Sequence, residues 1–101
     1  MTLAIYRLTG EFPREEVYGL ASQLKRAGVS VASNIAEGYG RASRAEYRQF
    51  LGVARGSNLE LQTQLVIARG LSMGDARRID HAENLSIEVG KMLVVLMRRL
   101  E

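Results

Sequence analysis

Apolar residues recur every three or four positions through most of the sequence, and this spacing constrains the fold more than any other feature. The first such stripe lies between Pro13 and Glu37 and consists of Val17, Leu20, Leu24, Ala27, Val31 and Ile35. A second, which includes Leu61, ends near Leu71, and a third, which includes Ile79, extends from about Asp75 to Leu100. Because an α-helix repeats every 3.6 residues, the three stripes predict three long helices. Pro13 is the only proline, which argues against a loop-rich β fold, and it fits the first position of a helix.

Residues that favour helix ends separate the stripes. Gly38 is expected to end the first long helix as a left-handed C-cap residue. Ser43 and, three residues later, Glu46 form a capping box, which predicts the start of the second. Ser72 and Asp75 form a weaker cap before the last stripe. These signals predict two short turns between the long helices.

A short apolar segment, Met1 to Leu8, precedes the long helices and predicts one or two helical turns. Short turns make neighbouring helices antiparallel. A chain of 101 residues suits a single domain with one modest core. The prediction is therefore an all-α fold, an up-down antiparallel four-helix bundle with a shortened first helix. It forms one domain, residues 1–101.

The apolar arcs of the second and third long helices are wider than one neighbour requires. Residues outside the main stripes include Val53, Leu59, Val66, Ile87, Val94, Val95 and Met97. The short first helix leaves further apolar surface uncovered. Because such patches usually mark association, we expect a homo-oligomer.

Charge and cysteine content limit the possible binding partners and the cellular location of the protein. The net charge is +3, and twelve of the fourteen basic residues are arginine. This permits contact with nucleic acid without requiring it. The absence of cysteine fits a reducing cytoplasm. No signal peptide or membrane span is predicted, because charged residues interrupt the early apolar run and the longest strongly apolar run, Met92 to Met97, is short. We expect a soluble, cytoplasmic protein.

A row of polar residues follows one side of the first long helix: Gln23, Arg26, Ser30, Asn34 and Glu37. Serine and asparagine inside a helix compete with its backbone hydrogen bonds, so a partly buried row is favoured over a solvated one. In an antiparallel pair, Arg26 faces Glu60 and Asn34 faces Arg48. We predict a partly buried Arg26–Glu60 ion pair that links the two helices. Together with Arg55, these residues are assigned a structural polar network, which consists of Gln23, Arg26, Ser30, Asn34, Glu37, Arg55 and Glu60.

Two segments carry a family resemblance that covers nearly the whole chain. They are YRLTGEFPREEVYGLASQLKRAGVSVASNIAEGYGR and FLGVARGSNLE. In these segments the chain resembles the four-helix-bundle family typified by the 23S rRNA intervening-sequence proteins. The accessory variability determinant of diversity-generating retroelements shares that fold. The resemblance implies an up-down bundle that assembles into a ring-like homopentamer, with nucleic-acid association in some members.

The start of the chain departs from this pattern. Family members generally have a longer first helix ahead of the segment that matches Ile5 to Thr9. Either the start is shortened here, or a neighbouring chain covers the gap.

No catalytic constellation can be assembled from the residue types present. The sole histidine, His81, lacks the Glu-x-x-His partner of bundle di-iron sites, since position 78 is Arg78. The Gly38-Tyr39-Gly40 turn follows a helix rather than a strand and lacks the ending of a phosphate-binding loop. We therefore expect no enzyme activity, no metal and no cofactor.

The turn after the first long helix is the remaining candidate site. Arg41, Arg44 and Arg48 surround a helix N-terminus, whose backbone N–H groups attract phosphate. Tyr39 is placed to stack on an exposed base, and Lys25 is a further candidate contact. One hypothesis is an RNA- or DNA-associated oligomeric scaffold. The alternative is a scaffold for a larger protein partner, in which the arginines pair internally with Glu37 and Glu46.

Overall fold

The computed structural model describes residues 1–14 and 19–101. These residues contain four α-helices. They are α1 (Thr2–Thr9), α2 (Leu20–Tyr39), α3 (Arg44–Gly70) and α4 (Ala76–Arg99). No strand occurs within those residues. The all-α prediction and the shortened first helix are confirmed. None of these helices is long and apolar enough to cross a membrane.

The helices surround a core in a ring, in the order α1, α2, α3 and α4. α2 packs on α3, α3 packs on α4, and α1 contacts both α2 and α4. In the described parts of the chain, α2 and α4 do not contact each other. The longest dimension, 43 Å, matches the length of about 40 Å expected for the 27 residues of α3. The arrangement is the predicted up-down four-helix bundle.

One end of the bundle has a complete core, to which all four helices contribute. Ile5 and Leu8 of α1 are fully buried there, together with Leu61 of α3 and Ile79 of α4. Phe12, just after α1, completes the cluster. We call this part, which comprises the described residues of 1–28 and 60–85, the closed half.

The other end has a core built by only three helices. Leu51, Ala54 and Leu93 are buried at its centre. The apolar residues that border them are only partly buried: Ile35, Tyr47, Val89, Leu96, Met97 and Leu100. We call residues 29–59 and 86–101 the open half.

The short length of α1 explains the difference between the halves. The Thr2 hydroxyl donates a hydrogen bond of 3.0 Å to the carbonyl oxygen of Gly28, which places the start of α1 beside the middle of α2. Beyond that point α1 does not run beside α2, and Ile35 of α2 and Val89 of α4 are only partly buried. We call that uncovered side of the open half the open side.

Two predicted caps are present. The Ser43 Oγ accepts a hydrogen bond from the Glu46 backbone N–H at 3.0 Å and begins α3. The Asp75 carboxylate accepts one from the Arg77 N–H at 2.9 Å and begins α4. Ser72 does not cap this helix, but lies in the preceding turn with φ of 54°.

The predicted C-cap at Gly38 is wrong. Gly38 lies inside α2, and the helix ends at Tyr39 with Gly40 as its C-cap, at φ of −76°. A Cβ atom on Gly38 would lie 2.8 Å from the Cβ of Phe50 and 3.1 Å from the Tyr47 ring. Gly38 therefore serves the close approach of α2 and α3, rather than a left-handed turn.

The predicted start of α2 at Pro13 is also corrected. Pro13 is exposed and non-helical, and the described α2 begins at Leu20 with Gly19 as its N-cap. The predicted stripe residue Val17 lies outside the described residues, as do Glu15, Glu16 and Tyr18.

Buried polar contacts set the register of α3 against its neighbours. Asn58 donates to the Ser86 carbonyl oxygen at 2.9 Å, and the Ser86 hydroxyl donates to the Asn58 Oδ1 at 2.7 Å. Both side chains are buried, and the absence of a side chain at Gly90 makes room for the amide of Asn58. On the α2 side, the hydroxyls of Ser30 and Ser57 are 2.8 Å apart. These pairs satisfy polar groups between helices and hold one register.

Candidate nucleic-acid interface

The predicted ion pair between Arg26 and Glu60 is absent, although the predicted register is right. Both side chains line one surface cleft between α2 and α3, with Gln23, Ser30 and Ser57. Both are exposed and do not pair. Because water solvates each charge, an exposed pair of this kind gains little. The shorter side chains of Ser30 and Ser57 make the interhelical contact instead.

The rest of the polar row makes local contacts. The Asn34 amide donates to the Ser30 carbonyl oxygen at 2.8 Å and to its hydroxyl at 3.1 Å. Glu37 pairs with Arg41 at 2.7 Å. Arg55 is exposed on the far side of α3, beside α4. The seven residues assigned to one polar network therefore do not form one connected group.

The turn between α2 and α3 is exposed. Arg41 ion-pairs with Glu37 and lies over the Phe50 ring, with its guanidinium carbon 5.0 Å from the ring centroid. Tyr39 is 77% exposed and packs edge-on against Tyr47, with ring centroids 6.1 Å apart. The Tyr39 side chain is therefore largely exposed despite its contact with Tyr47.

Lys25 lies away from this turn. Its ammonium group is 5.7 Å from the centroid of the Tyr6 ring on α1. The fourteen residues that separate Lys25 from Tyr39 on α2 correspond to about 21 Å of helix. The structure does not bring Lys25 together with the other candidate residues.

Arg48 connects the start of α3 to the end of α4. Its guanidinium donates to the Met97 carbonyl oxygen at 3.4 Å and pairs with Glu101 at 3.1 Å. Arg48, Arg55 and Arg98 line a common pocket of about 190 Å³. Arg44 is exposed one turn before Arg48, and no described residue forms an ion pair with it.

Five arginines therefore belong to the outer end of the open half, which we call the basic end: Arg41, Arg44, Arg48, Arg98 and Arg99. Of these, Arg48 and Arg98 line a common pocket. The sequence reasoning missed Arg98 and Arg99 because it assigned them only to the C-terminal end of the α4 dipole. The antiparallel pairing of α3 and α4 was the signal that could have placed them beside Arg48.

The net charge of the chain lies in the open half. Residues 29–59 and 86–101 hold seven basic and four acidic residues, whereas the rest of the sequence holds seven of each. In the closed half, Arg69 bonds to Asp80 at 2.8 Å and to Glu83, and Arg78 pairs with Glu11. The hydrogen bond with Asp80 and, to a smaller extent, the one with Glu83 raise the pKa of the Arg69 guanidinium. The excess of positive charge in the sequence therefore lies within residues 29–59 and 86–101.

The described residues contain no group of three or more His, Asp or Glu side chains that could hold a metal ion. His81 is exposed on α4, in a shallow pocket with Arg7, Arg77 and Arg78.

Comparisons with known proteins agree with this architecture. A crystal structure at 1.70 Å of a protein of unknown function from the S23 ribosomal protein family of Bacteroides thetaiotaomicron is similar, with a TM-score of 0.87. The two sequences are 22% identical, and the match covers 95% of this chain and 90% of the other. No functionally curated protein matches the chain. The family model described as 23S rRNA-intervening sequence protein matches residues 1–95, and the chain therefore belongs to that family.

Proposed function

We propose that the chain is a non-enzymatic, cytoplasmic scaffold that self-associates and binds RNA phosphates through its basic end. The observation that supports this proposal is that one end of the bundle has five exposed arginines. They belong to α3, α4 and the α2–α3 turn. The family name, which refers to an intervening sequence of 23S rRNA, is consistent with RNA as the partner. No cofactor is part of the proposal.

The local geometry suits phosphate binding. Arg44 and Arg48 lie in the first turns of α3, where backbone N–H groups favour an anion. Arg48 is paired with Glu101, and Arg41 with Glu37, but both pairs are exposed. Exposed pairs contribute at most about 1 kcal/mol, so a phosphate can replace the carboxylate at small cost. Tyr39 is exposed nearby for a base to stack on.

The open side supports self-association. α4 presents Val89, Met92, Leu96 and Leu100 at helical spacing there, and Met92 is 62% exposed. Ile35 of α2 borders the same core and is only partly buried. A second copy that covers this side would complete the core of the open half. The proposed assembly is the homopentamer implied by the family resemblance, in which five basic ends would act together.

A salt titration tests RNA binding most directly. The probe is a fluorescein-labelled single-stranded oligouridylate, and its binding is measured by anisotropy at several salt concentrations. We expect log affinity to fall linearly with log salt for the wild type. In the triple variant R44Q/R48Q/R98Q, the slope should decrease by about 2, since three phosphate contacts are lost.

The matched control removes three exposed arginines outside the basic end, in the variant R7Q/R26Q/R77Q. It carries the same net charge as the test variant and should retain the slope of the wild type. Absence of binding at low salt, or an equal loss in both variants, would refute the RNA role.

A second candidate function, a scaffold for another protein, is favoured by one specific observation. A surface groove between α3 and α4 has a mainly apolar lining.

A further inference from the structure

The groove between α3 and α4 adjoins the basic end, since Arg55 and Val94 also line the pocket of Arg48 and Arg98. Its lining does not include the open-side residues Met92, Leu96 and Leu100. The groove has a volume of about 590 Å³. The residues that line it include Leu59 of α3 and Ile87, Val94 and Val95 of α4. These four residues belong to the wide apolar arcs that predict self-association, but the contact proposed above uses the open side, with Val89, Met92, Leu96 and Leu100, instead.

The floor of the groove is unusually apolar for an exposed surface. Leu59, Ile87 and Val95 are 48%, 47% and 47% exposed, and all three line the same groove. Gly90 lies between the aliphatic residues of α4 and adds no side chain, which keeps the groove open down to Asn58. Contiguous apolar surface of this kind marks a contact site for another molecule.

Two cations flank this floor from opposite sides. Arg55 projects from α3 and Lys91 from α4, and both line the groove. Neither forms an ion pair with a described residue. The acidic residue nearest to Lys91 in sequence, Glu88, does not line the groove. The groove therefore combines an apolar floor with uncompensated positive charge on both walls.

We propose that this groove binds an amphipathic helix of a partner protein, with an apolar stripe flanked on both sides by acidic residues. The apolar stripe would cover Leu59, Ile87 and Val95, and the flanking carboxylates would pair with Arg55 and Lys91. The groove extends for about 12 Å along α4 from Ile87 to Val95, a length that holds roughly two turns of helix. A helix in an apolar groove is a recurrent mode of peptide recognition. Charge complementarity distinguishes an acidic helix from a neutral or basic one.

The test uses two synthetic helical peptides with the same leucine stripe, one flanked by glutamates and the other by lysines. Binding of each labelled peptide to the full chain is measured by fluorescence anisotropy. The wild type should bind the glutamate peptide at least about tenfold more tightly than the lysine peptide. The variant R55E/K91E should reverse this preference, because its groove presents negative walls.

A second variant tests the floor. I87D/V95D should lose binding of the glutamate peptide by about tenfold or more, whereas the matched control L3D/L71D, at two exposed leucines elsewhere, should bind as the wild type does. The charge reversal decides the matter if I87D/V95D fails to fold. Failure of the wild type to bind the glutamate peptide would overturn the proposal, as would binding that neither variant changes. None of these outcomes depends on RNA binding, so the two roles fail or succeed separately.

Discussion

The two halves of the bundle are built from the same three long helices, yet only one of them is sealed. In the closed half, α1 occupies the space between α2 and α4, and its Ile5 and Leu8 are fully buried. In the open half that space is uncovered, and Val89 and Leu96 remain partly exposed around a smaller core. The short α1, eight residues long, therefore determines where the core is fully buried and where apolar side chains remain partly exposed.

The same division appears in the charges. In the closed half, two of the arginines have acidic partners: Arg69 bonds to Asp80 and Glu83, and Arg78 pairs with Glu11. The open half has an excess of three positive charges, and Arg44, Arg55 and Lys91 have no ion-pair partner among the described residues. Surfaces proposed for other molecules therefore all lie in the half that α1 does not reach.

The largest loss of stability is expected when a leucine of the closed half is truncated, and a smaller loss when a leucine of the open half is truncated. Leu61 is fully buried beside α1, so Leu61→Ala should lower the free energy of unfolding by about 3–4 kcal/mol. Leu96 is only partly buried in the isolated chain, and Leu96→Ala should cost about 1 kcal/mol. Urea unfolding at low protein concentration measures both. Equal costs would mean that the open half is sealed as tightly as the closed one.

The junction between the halves depends on the buried pair of Asn58 and Ser86. Asn58→Ala removes the partner of the Ser86 hydroxyl and carbonyl, and should cost about 2–3 kcal/mol. The double variant with Ser86→Ala should cost less than the sum of the two single changes, because both then remove the same contact. Strictly additive costs in a thermal unfolding cycle would argue against a coupled pair.

Much of the fold could be predicted from the sequence because its signals are local. The stripes that contain Leu24, Leu61 and Ile79 identified residues that are buried, and Ser43 caps α3 as expected. The C-cap at Gly38 could not be predicted correctly, because its glycine is required by the approach of Phe50, a contact between two helices. The buried Asn58 was missed for the same reason, since its partner Ser86 is 28 residues away.

The candidate site was harder to predict than the fold. The register that faces Arg26 towards Glu60 is right, but whether two exposed side chains pair is decided by solvation, which spacing does not report. Lys25 was grouped with residues at the other end of its helix because its contact with Tyr6 requires the position of α1. The contribution of Arg98 required knowing which turn of α4 lies beside Arg48.

A smaller effect should distinguish two glycines of the open half. Gly38→Ala should destabilise the fold by about 1–3 kcal/mol, because the added methyl group collides with Phe50 at the α2–α3 contact. Gly56→Ala meets no atom within 4 Å and should stabilise α3 by about 0.5–1 kcal/mol. Thermal unfolding of the two variants provides the comparison. A loss of stability at both positions would mean that Gly56 also lies at a close contact.

The open side is proposed to be an interface between copies of this chain. Size-exclusion chromatography with multi-angle light scattering at micromolar concentration tests it directly, on the wild type and on the variant M92D/L96D. The exposed control L3D/L71D carries the same added charge elsewhere. The wild type and the control should be oligomers, and M92D/L96D should be a folded monomer. A wild type that is monomeric at that concentration, or an oligomer that M92D/L96D leaves intact, would contradict it.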